Sequence, residues 1–227
     1  MFRRFLILTV LLAGCTAQEA APPSSPPPVS SSAVSVPDQW NQLAGRALSA
    51  YVAKEEFGPD APWKEDQPAA PGGYEHGTPD VAGVCGGVKI GSGFKVTRSR
   101  LWRGDTVVWQ NVHALSSQKA AELVEQIREK SRTCSAYPRK EGKPTRAVTP
   151  DAAVTPPAGF DGFYAFCETA PDVAQGQDNC QAYLARGDLL VVYGSNAVSE
   201  DPNAARLAAL RQLQQMTPPV AKALAAV

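Results

Sequence analysis

From Phe94 onward apolar and polar residues alternate with a period of two, and at Ser116 the period changes to 3.6. FKVTRSRLW (94–102) and TVVWQNVHAL (106–115) therefore read as two strands, joined by Arg103-Gly104-Asp105. A Gly-Asp loop suits a tight hairpin, because glycine accepts the positive φ that primed turns require. In the helix that follows, 116–133, Ala120, Leu123, Val124 and Ile127 form one stripe, while Glu122, Glu125, Arg128 and Glu129 face water. The same change of period recurs downstream. Gln181 to Ala185 leads into a second Arg-Gly-Asp at 186–188, then strand LLVVY (189–193), then a helix from Asp201-Pro202. The triplets begin at Arg103 and Arg186, 83 residues apart, so the chain carries an internal ββα repeat. At two hairpin tips, turn chemistry accounts for the triplets better than integrin recognition does.

The flanks complete the pattern. Asp38 is placed to cap a first helix with Trp40, Leu43, Ala44, Ala47, Leu48, Tyr51 and Val52 along one side, ended by Gly58-Pro59. Residues 58–80 read as a Pro/Gly-rich loop holding Trp63, Tyr74 and His76, and 138–159 as another. Phe160 to Cys167 is an aromatic strand. In the last helix Asp201 caps, Pro202 takes the first turn, and Ala205, Ala209, Leu213 and Met216 line one side until Pro218-Pro219 stops it. Residues 220–227 add a short final helix. The order α-ββα-βββα predicts a single α/β domain of the α+β type, with an antiparallel sheet and helices mainly on one of its faces.

The first 37 residues do not belong to that pattern. MFRRFLILTVLLAG has a basic start, a short apolar run and small residues ahead of Cys15, the layout of a secretory signal. A cysteine directly after such a run resembles the bacterial lipobox, whose cysteine is acylated once 1–14 are removed. The run from Phe5 to Gly14 is far shorter than the ~20 residues of a membrane span. Residues 15–37 then supply the lipidated cysteine and a Pro/Ser-rich tether, which cannot bury enough to offset its ordering entropy. The folded domain is expected over 38–227, anchored by palmitate-type acyl chains on the extracytoplasmic face of the cell membrane.

Charge narrows the partners. The chain has 22 basic and 22 acidic residues, and loss of Arg3 and Arg4 with a signal leaves a net charge of −2. Such a balance gives no electrostatic reason to expect nucleic acid. Besides Cys15 there are four cysteines, Cys85, Cys134, Cys167 and Cys180, an even set that reads as two disulfides in an exported chain. Of three connectivities the pairing of sequence neighbours, Cys85–Cys134 and Cys167–Cys180, is favoured, and the other two remain open. None of the four has a C-x-x-C spacing, and His76 and His113 stand alone, so no zinc site is expected.

No catalytic motif is complete. Gly91-Ser92-Gly93 and Gly194-Ser195-Asn196 approach a nucleophile elbow without its full spacing and read as turns. His113 shares a strand face with Trp109, Asn111 and Leu115 and reads as a satisfied, half-buried histidine. Asp161, Glu168 and Asp172 lack an EF-hand spacing and read as solvated loop charges. No enzyme activity, cofactor or metal is expected. Binding is favoured: Trp102, Trp109, Phe163 and Tyr164, with Arg100, are candidates to line a cleft for a small apolar or glycan ligand, the competing reading being that they are core.

The segment LSSQKAAELVEQI, the helix ending in Thr133-Cys134, and the ARGDLLVVY strand with its terminal helix resemble one known family. It comprises the extracellular sensor domain of mycobacterial PknH-type serine/threonine kinases and free-standing actinobacterial lipoproteins. The resemblance spans roughly 85–217 and rests on pattern, with Cys134, Cys167 and Cys180 as matching cysteines. It implies an extracytoplasmic α/β domain with an antiparallel sheet, two internal disulfides and a ligand cleft. The expected function is non-enzymatic ligand binding or sensing at the cell envelope; the alternative is an accessory lipoprotein docking onto an envelope protein.

Overall fold

The computed structural model describes residues 36–58, 64–76, 80–90, 94–104, 106–138, 145–170 and 176–227. Cys15, the predicted signal and nearly all of the predicted tether lie outside them, as do Trp63, Gly91-Ser92-Gly93, Asp105 and Asp172. Three helices accompany ten strands among these residues: α1 (Val36–Ser49), α2 (Ala120–Thr133) and α3 (Pro202–Ala225). The strands are β1 (Lys64–His76), β2 (Asp80–Ala82), β3 (Val88–Lys89), β4 (Phe94–Arg103), β5 (Val107–Leu115), β6 (Ala136–Pro138), β7 (Thr145–Thr149), β8 (Gly162–Ala170), β9 (Gly176–Arg186) and β10 (Leu189–Ser199). Eight form one antiparallel sheet in the order β1-β4-β5-β10-β9-β8-β7-β6, and β2 pairs with β3 separately.

The predicted repeat forms the middle of the sheet. Hairpins β4–β5 and β9–β10 lie side by side, and Gln110 and Tyr193, equivalent under the 83-residue offset, face each other across β5 and β10. Both point to the face covered by α1 and α3. The Gln110 Nε2 donates to Ala50 O (3.2 Å), its Oε1 accepts from Val52 N (3.2 Å), and Tyr193 OH donates to Thr217 of α3 (3.0 Å). The helices of the two repeats then diverge, for α3 packs beside α1 while α2 packs on the opposite face. Two of the three helices thus share one face, as the pattern predicts, and the third does not.

Every member of the second Arg-Gly-Asp triplet has an internal partner. The Arg186 Nη1 donates to Leu224 O (3.0 Å) at the end of α3, and Gly187 takes φ +60° and donates to Asp161 (2.6 Å). Asp188 pairs with Arg46 of α1 at 2.5 Å. The triplet is a turn that joins layers, and the Asp161 carboxylate accepts from one of its amides.

Several elements depart from the pattern. β1 occupies the predicted 58–80 loop, pairing with β4 through three register shifts. Pro68 and Pro71 survive there because β1 is an edge strand, where a missing N–H costs no ladder bond on the open side. β7 likewise forms inside the predicted 138–159 loop. α2 begins at Ala120, four residues after Ser116, where the Ala120 amide is held by Gly187 O (2.9 Å). Asp201 caps α3 as expected, accepting from Asn203 N (2.9 Å). That helix nevertheless runs through Pro218-Pro219 without a stop. Met216, Val220 and Leu224 beyond or beside the prolines are fully buried, each worth ~1.5–3 kcal/mol, of the same order as the ~3 kcal/mol a helical proline costs. Gln214 and Gln215, whose carbonyls lose their N–H partners, are exposed to water.

The cysteines pair as sequence neighbours. Cys167 and Cys180 face each other directly across β8 and β9 on the α3 side. Cys85, in a single 3-10 turn between β2 and β3, is bonded to Cys134 at the C-terminal end of α2. Among the described residues no helix is long and apolar enough to cross a membrane.

Candidate functional site

Helix length decides where the sheet is left open. α3 has 24 residues, ~36 Å, and so matches the 11 residues of β10, also ~36 Å. α2 has 14 residues, ~21 Å, and starts beside the Gly187 turn, so it cannot cover the far half of its own face. There the β8–β9–β10–β5 surface, β6 and the β2 end enclose a cavity of about 430 Å³.

Strand register builds its floor in transverse rungs. One rung runs Tyr183–Val192–Asn111, the next Gln181–Gly194–Trp109, and the third Glu168–Asn179–Asn196. β9 thus contributes Gln177, Asn179, Gln181 and Tyr183 at alternate positions, all lining the cavity. Gly194 has a specific reason to be glycine: a Cβ there would stand 2.7 Å from Cys180 O and 2.8 Å from Trp109 Cζ2. The Trp109 indole lies across that bare backbone. Gly194-Ser195-Asn196, predicted as a turn, is therefore mid-strand. Ser195 points the other way, is fully buried, and donates to Ala209 O (2.6 Å).

On the β6–β7–β8 side stands an ionic pair. Arg146 Nη1 is 3.8 Å from Glu168 Oε2, with side chains only 10% and 5% exposed. The second Glu168 oxygen accepts a hydrogen bond from Tyr137 OH. Glu168 is consequently no solvated loop charge, as predicted, but a buried carboxylate at a strand's cavity face. Tyr183 is held as a neutral phenol, its pKa raised well above the ordinary value by burial, with Glu168 and Tyr137 adding to it. Two polar atoms of the lining have no hydrogen-bond partner among the described residues: Arg146 Nη1 and Asn179 Oδ1. The other wall, Val81, Ala82 and Gly83, belongs to the segment that Cys85–Cys134 fastens to α2.

Of the five predicted cleft residues, Trp109 lines this cavity and the rest do not. Trp102 is fully buried under α1, edge-on to Phe57 at 5.3 Å. Arg100 donates to Val52 O (2.8 Å) and stacks over Tyr51 at 4.5 Å on that same face. Phe163 packs against the α3-side core. Tyr164 sits beneath α2, its OH sharing a hydrogen bond with Ser131 (2.5 Å). For Trp102, Arg100 and Phe163 the cause is alternation: even positions of β4 and odd positions of β8 face α1 and α3, away from the cavity, whereas Tyr164 shares the cavity's face but lies under α2. The readable signal for the missed residues is the period-two amide stripe in GQDNCQAY (176–183).

His113 is satisfied as expected. Its Nδ1 is 2.9 Å from Thr97 Oγ1, and burial with nearby Lys95 lowers its pKa to about 3. Asp161 and Glu168 stand at opposite ends of β8, and no group of three or more possible metal ligands occurs among the described residues. The chain matches no family model and no curated protein.

Proposed function

We propose that the protein is an extracytoplasmic lipoprotein, anchored through Cys15, that binds a small polar ligand in the cavity beside α2 and catalyses no reaction. The observation carrying this reading is the cavity of about 430 Å³ on the uncovered half of the sheet, within the ~300–1,000 Å³ common for ligand sites. Its lining favours polar ligands over the apolar ones that the aromatic residues alone suggested. Five carboxamides, those of Asn111, Gln177, Asn179, Gln181 and Asn196, surround Trp109 and Tyr183. The groups that chemistry would need are engaged elsewhere: Ser195 in the α3 contact, four cysteines in disulfides, His113 buried against Thr97. A sensory role of the kind seen in the PknH-type family it resembles is consistent with a rigid site on a tethered domain. Docking onto an envelope partner draws less support, because the large apolar side chains exposed among the described residues are Leu48, Val198, Leu207 and Val227, scattered over three elements and the last residue.

Two measurements test the reading. Detergent partitioning of the wild-type chain and Cys15→Ala is expected to move the variant from the membrane fraction to the aqueous one with its unfolding midpoint unchanged. Binding of envelope-derived soluble glycans, followed through Trp109 fluorescence, is expected to saturate and to vanish in Trp109→Phe. An unchanged membrane association in the first, or no saturable binding in the second, defeats the corresponding half of the proposal.

A further inference from the structure

Resting on the reading of the cavity as a ligand site, we propose that its ligand is a neutral polyhydroxylated molecule, a small sugar or cyclitol, one hydroxyl of which bridges Arg146 and Asn179. Two atoms without a partner among the described residues carry it. Arg146 is nine-tenths buried, yet its Nη1 lacks an acceptor: Glu168 at 3.8 Å balances its charge without lying within hydrogen-bond distance. Asn179 Oδ1, on the strand position directly opposite Glu168, lacks a donor. Buried polar atoms are costly without partners, so one end of the cavity demands an acceptor and a donor together. A hydroxyl is both at once, and it suits the Asn179 amide whichever way that amide is turned.

Charge excludes the competing ligands. Arg146 and Glu168 cancel each other, and the remaining polar side chains of the lining are amides, phenols and the Trp109 indole, all uncharged. A carboxylate or phosphate placed on Arg146 would meet the Glu168 carboxylate beside it, and an ammonium group placed on Glu168 would meet the guanidinium. An acyl chain would strip five amides of water and give nothing back. Neutral hydroxyls can pair with each amide in either sense, while Trp109 offers an aromatic surface to the C–H face of a ring.

The test titrates the full chain, held in a sugar-free polyoxyethylene detergent, by calorimetry and saturation-transfer NMR. Neutral probes are glucose, galactose, arabinose, trehalose and myo-inositol; glucuronate and glucosamine are the charged analogues and dodecanoate the apolar one. Dextran and arabinan distinguish a free sugar from the exposed unit of a polymer. At least one neutral probe is expected to bind tenfold or more tightly than glucuronate, glucosamine and dodecanoate. Asn179→Ala and Arg146→Met should each weaken it by tenfold or more, with both disulfides intact. Glu168→Gln, which leaves the guanidinium uncompensated, should move the preference toward glucuronate by a similar factor. Should Arg146→Met fail to fold, Asn179→Ala at its half-buried position decides. Preference for glucuronate, glucosamine or dodecanoate overturns the inference but leaves the binding reading standing. So does neutral-sugar binding that neither Asn179→Ala nor Glu168→Gln alters. Binding of no probe in the panel overturns both.

Discussion

Arg146 of β7 and Glu168 of β8 face each other at 3.8 Å from neighbouring strands, almost wholly shielded from water. A buried pair of this kind adds little net stability, yet breaking it exposes the full desolvation cost of the survivor. Glu168→Ala is therefore expected to lose about 3–5 kcal/mol in urea unfolding, whereas Arg146→Met with Glu168→Leu together should lose much less. Equal losses for the single and the double variant would show that the pair does not act as a unit.

Gly194 allows Trp109 to lie across the sheet. Gly194→Ala pushes a methyl group to 2.7 Å from a backbone carbonyl, which cannot yield, and to 2.8 Å from the indole, which can. The variant is expected to lose about 1–3 kcal/mol and to shift tryptophan emission as the ring is displaced. Unchanged emission would mean that Trp109 does not rest on this glycine.

His113 makes stability pH-dependent. The unfolded imidazole takes up a proton below about pH 6.5, while burial keeps the folded one neutral down to about pH 3. Stability is thus fully present above pH 6.5 and falls as pH drops through that window, by about 2 kcal/mol at pH 5. His113→Gln should flatten this part of the profile. A parallel profile in the variant would assign the slope to the carboxylates instead.

The two disulfides are expected to differ in what their loss does. With separations of 49 and 13 residues, Cys85–Cys134 and Cys167–Cys180 contribute at most about 4 and about 3 kcal/mol by loop closure. Only the first secures a cavity wall. Replacing Cys85 and Cys134 by Ser should weaken ligand binding in chain that remains folded, while replacing Cys167 and Cys180 should lower stability and leave the affinity of the folded fraction unchanged. Equal effects on affinity would remove the β2 segment from the site.

Much of the fold was legible because it rests on local periodicity. The alternation in β4, β5 and β10, the second Arg-Gly-Asp turn and the Asp201 cap are each set by neighbouring residues, and they appear where the pattern places them. β1 was missed because its Pro, Gly and Asp residues are weak strand formers, and β7 because it is only five residues between Pro144 and Pro150; each pairs because a partner edge exists. Pro218-Pro219 misled for the converse reason: local cost was outweighed by the burial of Met216, Val220 and Leu224.

The cavity was less readable. Period two shows that Trp109, Asn111 and His113 share a face, but not which face a helix covers. That choice belongs to the tertiary structure, since α2 and α3 follow equivalent hairpins and still pack on opposite sides. It puts Trp102, Arg100 and Phe163 on the face away from Trp109 and Tyr164 under α2 on the same face, and it brings Arg146 and Glu168 to Asn179 from strands the pattern left as loop or read as solvated. The sequence by itself determined the central hairpins and the presence of the three helices, though not where each helix starts or stops, because these depend on contacts a few residues apart. Only the tertiary structure decided where the sheet stays open, because that depends on a 14-residue helix being too short for the strands it covers.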